Sequence, residues 1–500
     1  MFINGRRFIG FGGNWGFGES NLNYREREYD IAVAYHADMN FTMIRNWVGQ
    51  IGDKEFYEAC DRHGIMVWQD FWLANPVDGP NPYYTEMFNA NACDYLKRIR
   101  NHPSIGIYVG RNEGNPPAGI DDYLRGLVFR EHPGLYYISN SAMGVVSGGG
   151  PYRALSPKSY FQSYGHDKFH SERGMPNVMN YESMLLTFGT DKIEPVNTSE
   201  TPNPVYGLHD YTLGGGKGSS AQAASSFNDM IEKAFGRPRD AKQFAEWAQW
   251  INYDGYRAIF EGRSEHRRGM LLWMSHSAWP SMVWQTYDYY FDPNAAYFGC
   301  KKASEPLHIQ WNPLRDDIEV VNYHAFDRTG LTATASLFNQ DGTLQWTRET
   351  KLDIKEDQTV ACFPLEQPET LSDTYFIKLS LTDSDGKQLS DNFYWRGKED
   401  GNYKSLLQLP KVSVCKNVTV KKTGKEWLIR AVLKNEARTP ALMLRLKVAG
   451  EKSGRMLLPV FYSDNYFSLL PGEVKEVDIR LYDADTYGEK PVLEVLGFNL

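Results

Sequence analysis

The segment RNHPSIGIYVGRNEGNPP, residues 100–117, runs through Ile105, Ile107, Tyr108 and Val109 and then stops at Asn112-Glu113-Gly114. A short β-branched and aromatic run bounded by Pro and Gly reads as a buried strand. The carboxylate directly after it is then presented at the strand's C-terminal end. Seven further runs read the same way: FIGFGGNW (8–15), FTMIRNW (41–47), IMVWQDF (65–71), LYYISNSA (135–142), PKSYF (157–161), KFHSERG (168–174) and MLLWMSHSAW (270–279). Between several of them lie helical patterns, DKEFYEACDRHG, MFNANACDYLKRIRNH and DDYLRGLVFREH. Strands alternating with helical crossovers mark a parallel α/β sheet, and eight of them favour a closed (β/α)8 TIM barrel.

The stretch from Glu113 to Glu172 must hold three such units, so its helices are expected to be short or missing. Residues 189–226, rich in Gly, Ser and Pro, are expected to form a lid or a disordered surface loop. They precede a long helical pattern, FAEWAQWINYDGYRAIFEGRS. After Trp311 the helical period disappears and alternating runs such as LTATASLFN, TYFIKLSLTD and EWLIRAVLKN take over. The expected organisation is a barrel over 1–310 and two all-β immunoglobulin-like sandwich domains over 311–408 and 409–500.

Composition narrows the function classes. The 500 residues carry 54 Lys and Arg against 62 Asp and Glu, a formal net charge of -8, with no basic stripe for nucleic acid. No apolar run long enough to span a membrane and no signal-peptide pattern is present, so a soluble chain with no membrane partner is expected. The five cysteines, Cys60, Cys93, Cys300, Cys362 and Cys415, are widely spaced with no C-x-x-C pair, which argues against a disulfide scaffold and against structural zinc. Aromatic residues reach 14%, with 13 Trp and 31 Tyr, side chains that fill cores and also stack on sugar rings.

In a (β/α)8 barrel the chemistry sits at the C-terminal strand ends. Glu113 follows the fourth strand and Glu172 ends the seventh, so the two carboxylates are expected to face each other across the mouth. A carboxylate pair in that arrangement supports retaining glycoside hydrolysis, one group attacking the anomeric carbon and the other protonating the leaving oxygen. Arg45, ending its strand, is placed to keep the nucleophile ionised. Asp70, Trp47 and Trp273 also end barrel strands and supply an acceptor and flat apolar walls suited to a sugar. His170 and His276 lie near the same mouth without metal-ligand spacing, so no metal is expected and both histidines are assigned to packing or hydrogen bonding.

The motifs FINGRRFIGFGGNW, IRNW, FYEACDRHGIMVWQDF, RNHPSIGIYVGRNE and FHSERG, in this order, resemble the catalytic barrel of glycoside hydrolase family 2. The segment from Trp273 to Trp311, with DNFYW and YSDNYFSLLPGE, is similar to the branch holding exo-β-glucosaminidases, β-mannosidases and endo-β-mannosidases. The resemblance implies Glu113 as acid/base, Glu172 as nucleophile, Asn112 as partner of the sugar's 2-position, and no cofactor. It implies an oligosaccharide or glycan substrate with β-linked mannosyl or glucosaminyl residues, with β-galactoside or β-glucuronide as alternatives. Asp70 is the residue expected to bear on sugar choice. Two departures stand out. Members of the family carry β-domains ahead of the barrel, whereas this sequence begins at the first barrel strand, which keeps a non-catalytic or truncated glycan-binding protein as the rival reading. Arg111 precedes Asn112 where the family commonly has Gly or Asn, and a guanidinium there is expected to lower the acid/base pKa.

Overall fold

The structure, a computed structural model, describes residues 1–163, 165–213 and 224–500. Behind a short hairpin (Phe2–Ile3 with Arg6–Arg7) lie eight parallel strands: β1 Phe11–Trp15, β2 Met43–Asn46, β3 Met66–Asp70, β4 Ile105–Arg111, β5 Tyr136–Asn140, β6 Val146–Ser147, β7 Phe169–Arg173 and β8 Met270–Leu272. They neighbour one another in chain order, and β8 pairs back onto β1, Met270 opposite Phe11. This is the order of a TIM barrel, with a seam: among the described residues no ladder joins β5 to β6. The sheet therefore curls as an eight-stranded, TIM-like half-barrel rather than closing fully.

Helices α1 Glu26–Asp38, α2 Lys54–His63, α3 Thr85–Ile99 and α4 Ala118–Glu131 make the first four crossovers. In α2 the buried residues Phe56, Tyr57, Ala59 and Cys60 fall on one face, the spacing that turns an amphipathic helix onto a sheet. Backbones approach closely at two glycines. A Cβ on Gly12 would stand 1.6 Å from the Met43 carbonyl oxygen, and one on Gly174 would stand 2.0 Å from that of Trp273, so no other residue fits at either strand contact.

The middle of the barrel departs from the sequence reading. PKSYF is not the sixth strand but helix α5, Pro157–Gln162, started by the Ser156 cap and by Pro at its first turn. The sixth strand is the two-residue β6, paired with Phe169 and His170. No helix lies between β5 and β6 among the described residues, and α5 has only 6 residues, as the short spacing requires. The described part of the 189–226 insertion is packed: Ile193, Val196, Tyr206 and Tyr211 are buried, and Pro204–Leu208 is helical. Residues 214–223 of that expected lid or loop lie outside the described residues. The long helical pattern forms Ala241–Glu261, buried along most of its length.

From Leu307 onward the elements are antiparallel. Strands between Leu307 and Gly397 form a three-stranded and a four-stranded sheet, and those between Val414 and Leu496 form a four-stranded and a three-stranded sheet. In Arg328–Asn339, Leu331, Ala333, Ala335 and Leu337 are all buried, the period of two expected of a strand with one face on a core. The first pair of sheets encloses its own core, whereas the core of the second is continuous with the barrel's. Arg445 anchors that junction through ion pairs to Glu182 at 2.8 Å and Asp292 at 3.4 Å.

Candidate active site

Arg45, near the end of β2, is fully buried, a location a guanidinium occupies only when its donors are matched. Its Nε and Nη2 grip Asp70, the last residue of β3, at 3.0 and 2.7 Å, while Nη1 donates to Glu172 Oε1 at 2.6 Å. Nη2 also donates to Asn112 Oδ1 at 2.7 Å. One cation thus joins the ends of β2, β3, β4 and β7. Both oxygens of Asp70 are already engaged, by Arg45, by Trp68 Nε1 at 2.7 Å and by the Val48 amide at 3.0 Å. Asp70 therefore positions the guanidinium.

Glu172 sits on β7 and is 3% exposed. The loop after β6 is pinned beside it: Gly150 N donates to the Glu172 carbonyl at 3.0 Å, and His170 Nε2 lies 2.7 Å from the Gly150 carbonyl. This brings Tyr152 over β7, where its hydroxyl donates to Glu172 Oε2 at 2.6 Å. Burial pushes the Glu172 carboxyl up to about 7, with Glu113 adding to the rise, while Arg45 and the Tyr152 hydrogen bond oppose it. Burial, reinforced by the Glu172 charge, raises the Tyr152 phenol far above its ordinary value, so it remains a donor.

Glu113 lies two residues beyond β4 and is only half-buried, in a left-handed backbone conformation with φ 47°. Such a conformation is uncommon for a non-glycine residue and costs about 1–3 kcal/mol, so the surroundings must hold it. They do: its amide donates to Ser141 Oγ at 3.0 Å, and Ser141 in turn donates to Asn112 Oδ1 at 3.2 Å. The carboxylate accepts from Asn75 Nδ2 at 3.4 Å. Arg111 is directed elsewhere, donating to the Ala74 carbonyl and to Asn81 Oδ1, both at 2.7 Å.

The aromatic wall begins just past the strands. Trp47 follows β2, Trp273 follows β8, and their rings meet edge to face at 4.8 Å. Trp284 packs on Trp273 at 6.3 Å and lies 6.5 Å from Tyr152. Asn112, Arg45, Asp70 and Glu172 are thus joined by hydrogen bonds, Glu113 is linked to them through Ser141 and through its charge on Glu172, and Trp47 and Trp273 form one wall.

Tyr152, Asn75 and Trp284 escaped the sequence reading because they lie in loops without periodicity, and Ser141 was read as part of the strand LYYISNSA but ends up one residue past it, at Glu113. The Ser156-Pro157 helix start was the signal that would have moved the sixth strand upstream and exposed the Tyr152 loop. His170 and His276 are buried hydrogen-bonding residues, the first with Ser147 and Gly150, the second with Tyr287 and Gly18.

Comparison with known proteins adds kinship to this geometry. Residues 392–500 match the family of the exo-β-D-glucosaminidase Ig-fold domain. A mannosylglycoprotein endo-β-mannosidase of Lilium longiflorum is 27% identical over 99% of this chain and 63% of its own length. An exo-β-D-glucosaminidase of Streptomyces avermitilis is 28% identical over 99% of this chain and 60% of its own. The crystal structure of an Amycolatopsis orientalis exo-chitosanase shares the fold, with a TM-score of 0.88 at 24% identity over 99% of this chain and 63% of that one. The chain spans about three fifths of the length of the curated relatives it matches. It is a homologue of glycoside hydrolases, among them proteins named endo-β-mannosidase and exo-β-D-glucosaminidase.

Proposed function

We propose that the chain carries the catalytic machinery of a retaining β-glycosidase that removes β-linked mannosyl or glucosaminyl residues from oligosaccharides. The observation that carries the reading is Glu172: a buried carboxylate held at both oxygens, by Arg45 and by Tyr152, while the charge of Glu113 bears on it. In the first step a Glu172 oxygen attacks the anomeric carbon, the glycosidic C–O bond breaks, and Glu113 gives its proton to the departing oxygen. In the second, the Glu113 carboxylate takes a proton from water, the water oxygen attacks the anomeric carbon, and Glu172 is released.

The charge balance suits this sequence. Arg45 is shared between Asp70 and Glu172, so one cation faces two carboxylates before Glu113 is counted. That surplus of negative charge favours an oxocarbenium-like transition state. Asn112 turns its amide oxygen to Arg45 and Ser141, and among the described residues its Nδ2 makes no protein hydrogen bond, which leaves a donor for the sugar's 2-position. In this reading the barrel, residues 1–310, performs the chemistry, and the β-domains over 311–408 and 409–500 support it.

The test is release from nitrophenyl β-mannoside, β-glucosaminide, β-galactoside and β-glucuronide, with Glu172→Ala as blank. Turnover of the mannoside or glucosaminide, lost in the variant, is expected. Sugar binding by calorimetry without turnover of any of the four would favour the non-catalytic reading instead.

A further inference from the structure

The loop after β3, residues 71–84, is folded over the end of β4. Arg111 clamps it twice, through the Ala74 carbonyl and Asn81 Oδ1, each at 2.7 Å. Asn75 reaches Glu113 from it, and a Cβ on Gly114 would stand 3.2 Å from Pro76. The near end of the loop is fixed by Trp72, whose Nε1 donates to the Gly49 carbonyl at 3.1 Å and whose ring packs on Phe88 and Tyr95. Two and three residues past the Asn81 clamp, Tyr83 and Tyr84 are 89% and 75% exposed. Arg111 is 3% exposed, and among the described residues it has no carboxylate partner. A buried guanidinium whose hydrogen bonds run to one loop fixes where that loop lies.

We propose that this loop is the acceptor-side subsite of the enzyme, in which Tyr83 and Tyr84 stack against the pyranose ring that leaves with the proton of Glu113. The inference rests on the glycosidase reading given above and extends it to the second sugar of the substrate. The proton donor of a glycosidase faces the leaving oxygen, so the segment packed against that donor borders the departing sugar. Exposed tyrosine rings on a clamped segment offer flat apolar faces at little conformational cost, and their hydroxyls meet the sugar's rim. Asn75 contributes by holding Glu113, and Arg111 is a positioning residue acting through Ala74 and Asn81.

The experiment compares two substrates of the same sugar, the β-1,4-linked disaccharide and the β-glycosyl fluoride, whose leaving group carries no ring. For Tyr83→Ala and Tyr84→Ala, the ratio of kcat/KM on the disaccharide to that on the fluoride is expected to fall about tenfold in at least one variant, and further in the double variant. Arg111→Ala is expected to lower the same ratio and Arg111→Lys to restore at most part of it, because a lysine has one ammonium in place of the two guanidinium nitrogens, Nε and Nη1, that reach the two clamp oxygens. A ratio unchanged in the two tyrosine variants and their double would overturn the subsite and leave the glycosidase reading intact. No turnover of the fluoride by the wild-type protein would overturn both.

Discussion

The two glutamates at the mouth are held in opposite ways. Glu172 lies within β7, is buried, and has each oxygen fixed by a donor, whereas Glu113 stands off the end of β4, half-exposed, with its backbone pinned by Ser141 and, among the described residues, its carboxylate touched only at long range by Asn75. A nucleophile must present one oxygen to one carbon, and rigidity serves it. A proton donor that later becomes a base must exchange with water, so access serves it. Under the proposed function, the difference suits Glu172 to the part of the nucleophile and Glu113 to that of the acid/base.

The largest expected effects come from removing one side of that comparison. Glu172→Ala should lower kcat by about 10⁴-fold or more on every substrate, since nothing else forms the covalent intermediate. Glu113→Gln should lower kcat/KM, which reports the first step, about 10²–10⁴-fold on a disaccharide but far less on a glycosyl fluoride, which needs little protonation. Equal losses on the two substrates for Glu113→Gln would break the assignment of roles.

Arg45→Met comes next. It strands Asp70 and Glu172 in the interior, and breaking a buried pair from one side typically costs about 3–5 kcal/mol. Denaturant melts should show that loss at pH 8 and less of it at pH 5, where Glu172 takes up its proton. kcat/KM should fall about 10²–10³-fold.

Smaller shifts sharpen the comparison. The acidic limb of kcat/KM is expected near pH 7, the region in which burial holds Glu172. Tyr152→Phe removes a hydrogen bond that lowers that pKa, so the limb should move to higher pH; Glu113→Gln removes a like charge, so on the glycosyl fluoride it should move to lower pH. Limbs moving the same way would contradict the electrostatics.

The smallest effect is on stability. A carboxyl raised from 4.5 to about 7 by folding holds its proton longer in the native state, so stability is retained below pH 4.5 and lost as pH rises to about 7. The loss is about 3 kcal/mol for a shift of this size. Glu172→Gln should therefore melt higher than the wild type above pH 7, with the gap closing below pH 5.

Much of this mouth could be read from the sequence because barrel geometry converts strand ends into neighbours. Ile105–Arg111 and Phe169–Arg173 are recognisable as strands, and the fold then brings Glu113 and Glu172 to one rim. The same logic carried Arg45, Asp70, Trp47 and Trp273 to that rim. It did not reveal that Asp70 faces Arg45, Trp68 and Val48, because strand position fixes where a side chain starts and not which partner fills its oxygens. β6 was hidden because two residues, Val146 and Ser147, carry no period, and with it went Tyr152, whose place depends on the loop pinned to His170 and Glu172. Arg111 was expected beside Glu113; the structure gives its hydrogen bonds to Ala74 and Asn81, a tertiary choice that adjacency in sequence does not encode.

The central claim is that Glu172 forms a covalent bond to the sugar. Incubation with a 2-deoxy-2-fluoro-β-glycosyl fluoride of the preferred sugar, followed by peptide mapping in a mass spectrometer, tests it directly. The account predicts one sugar added per chain, on the peptide and residue holding Glu172, and none in Glu172→Ala. A label on Glu113, or steady turnover with inversion at the anomeric carbon and no label, would contradict it.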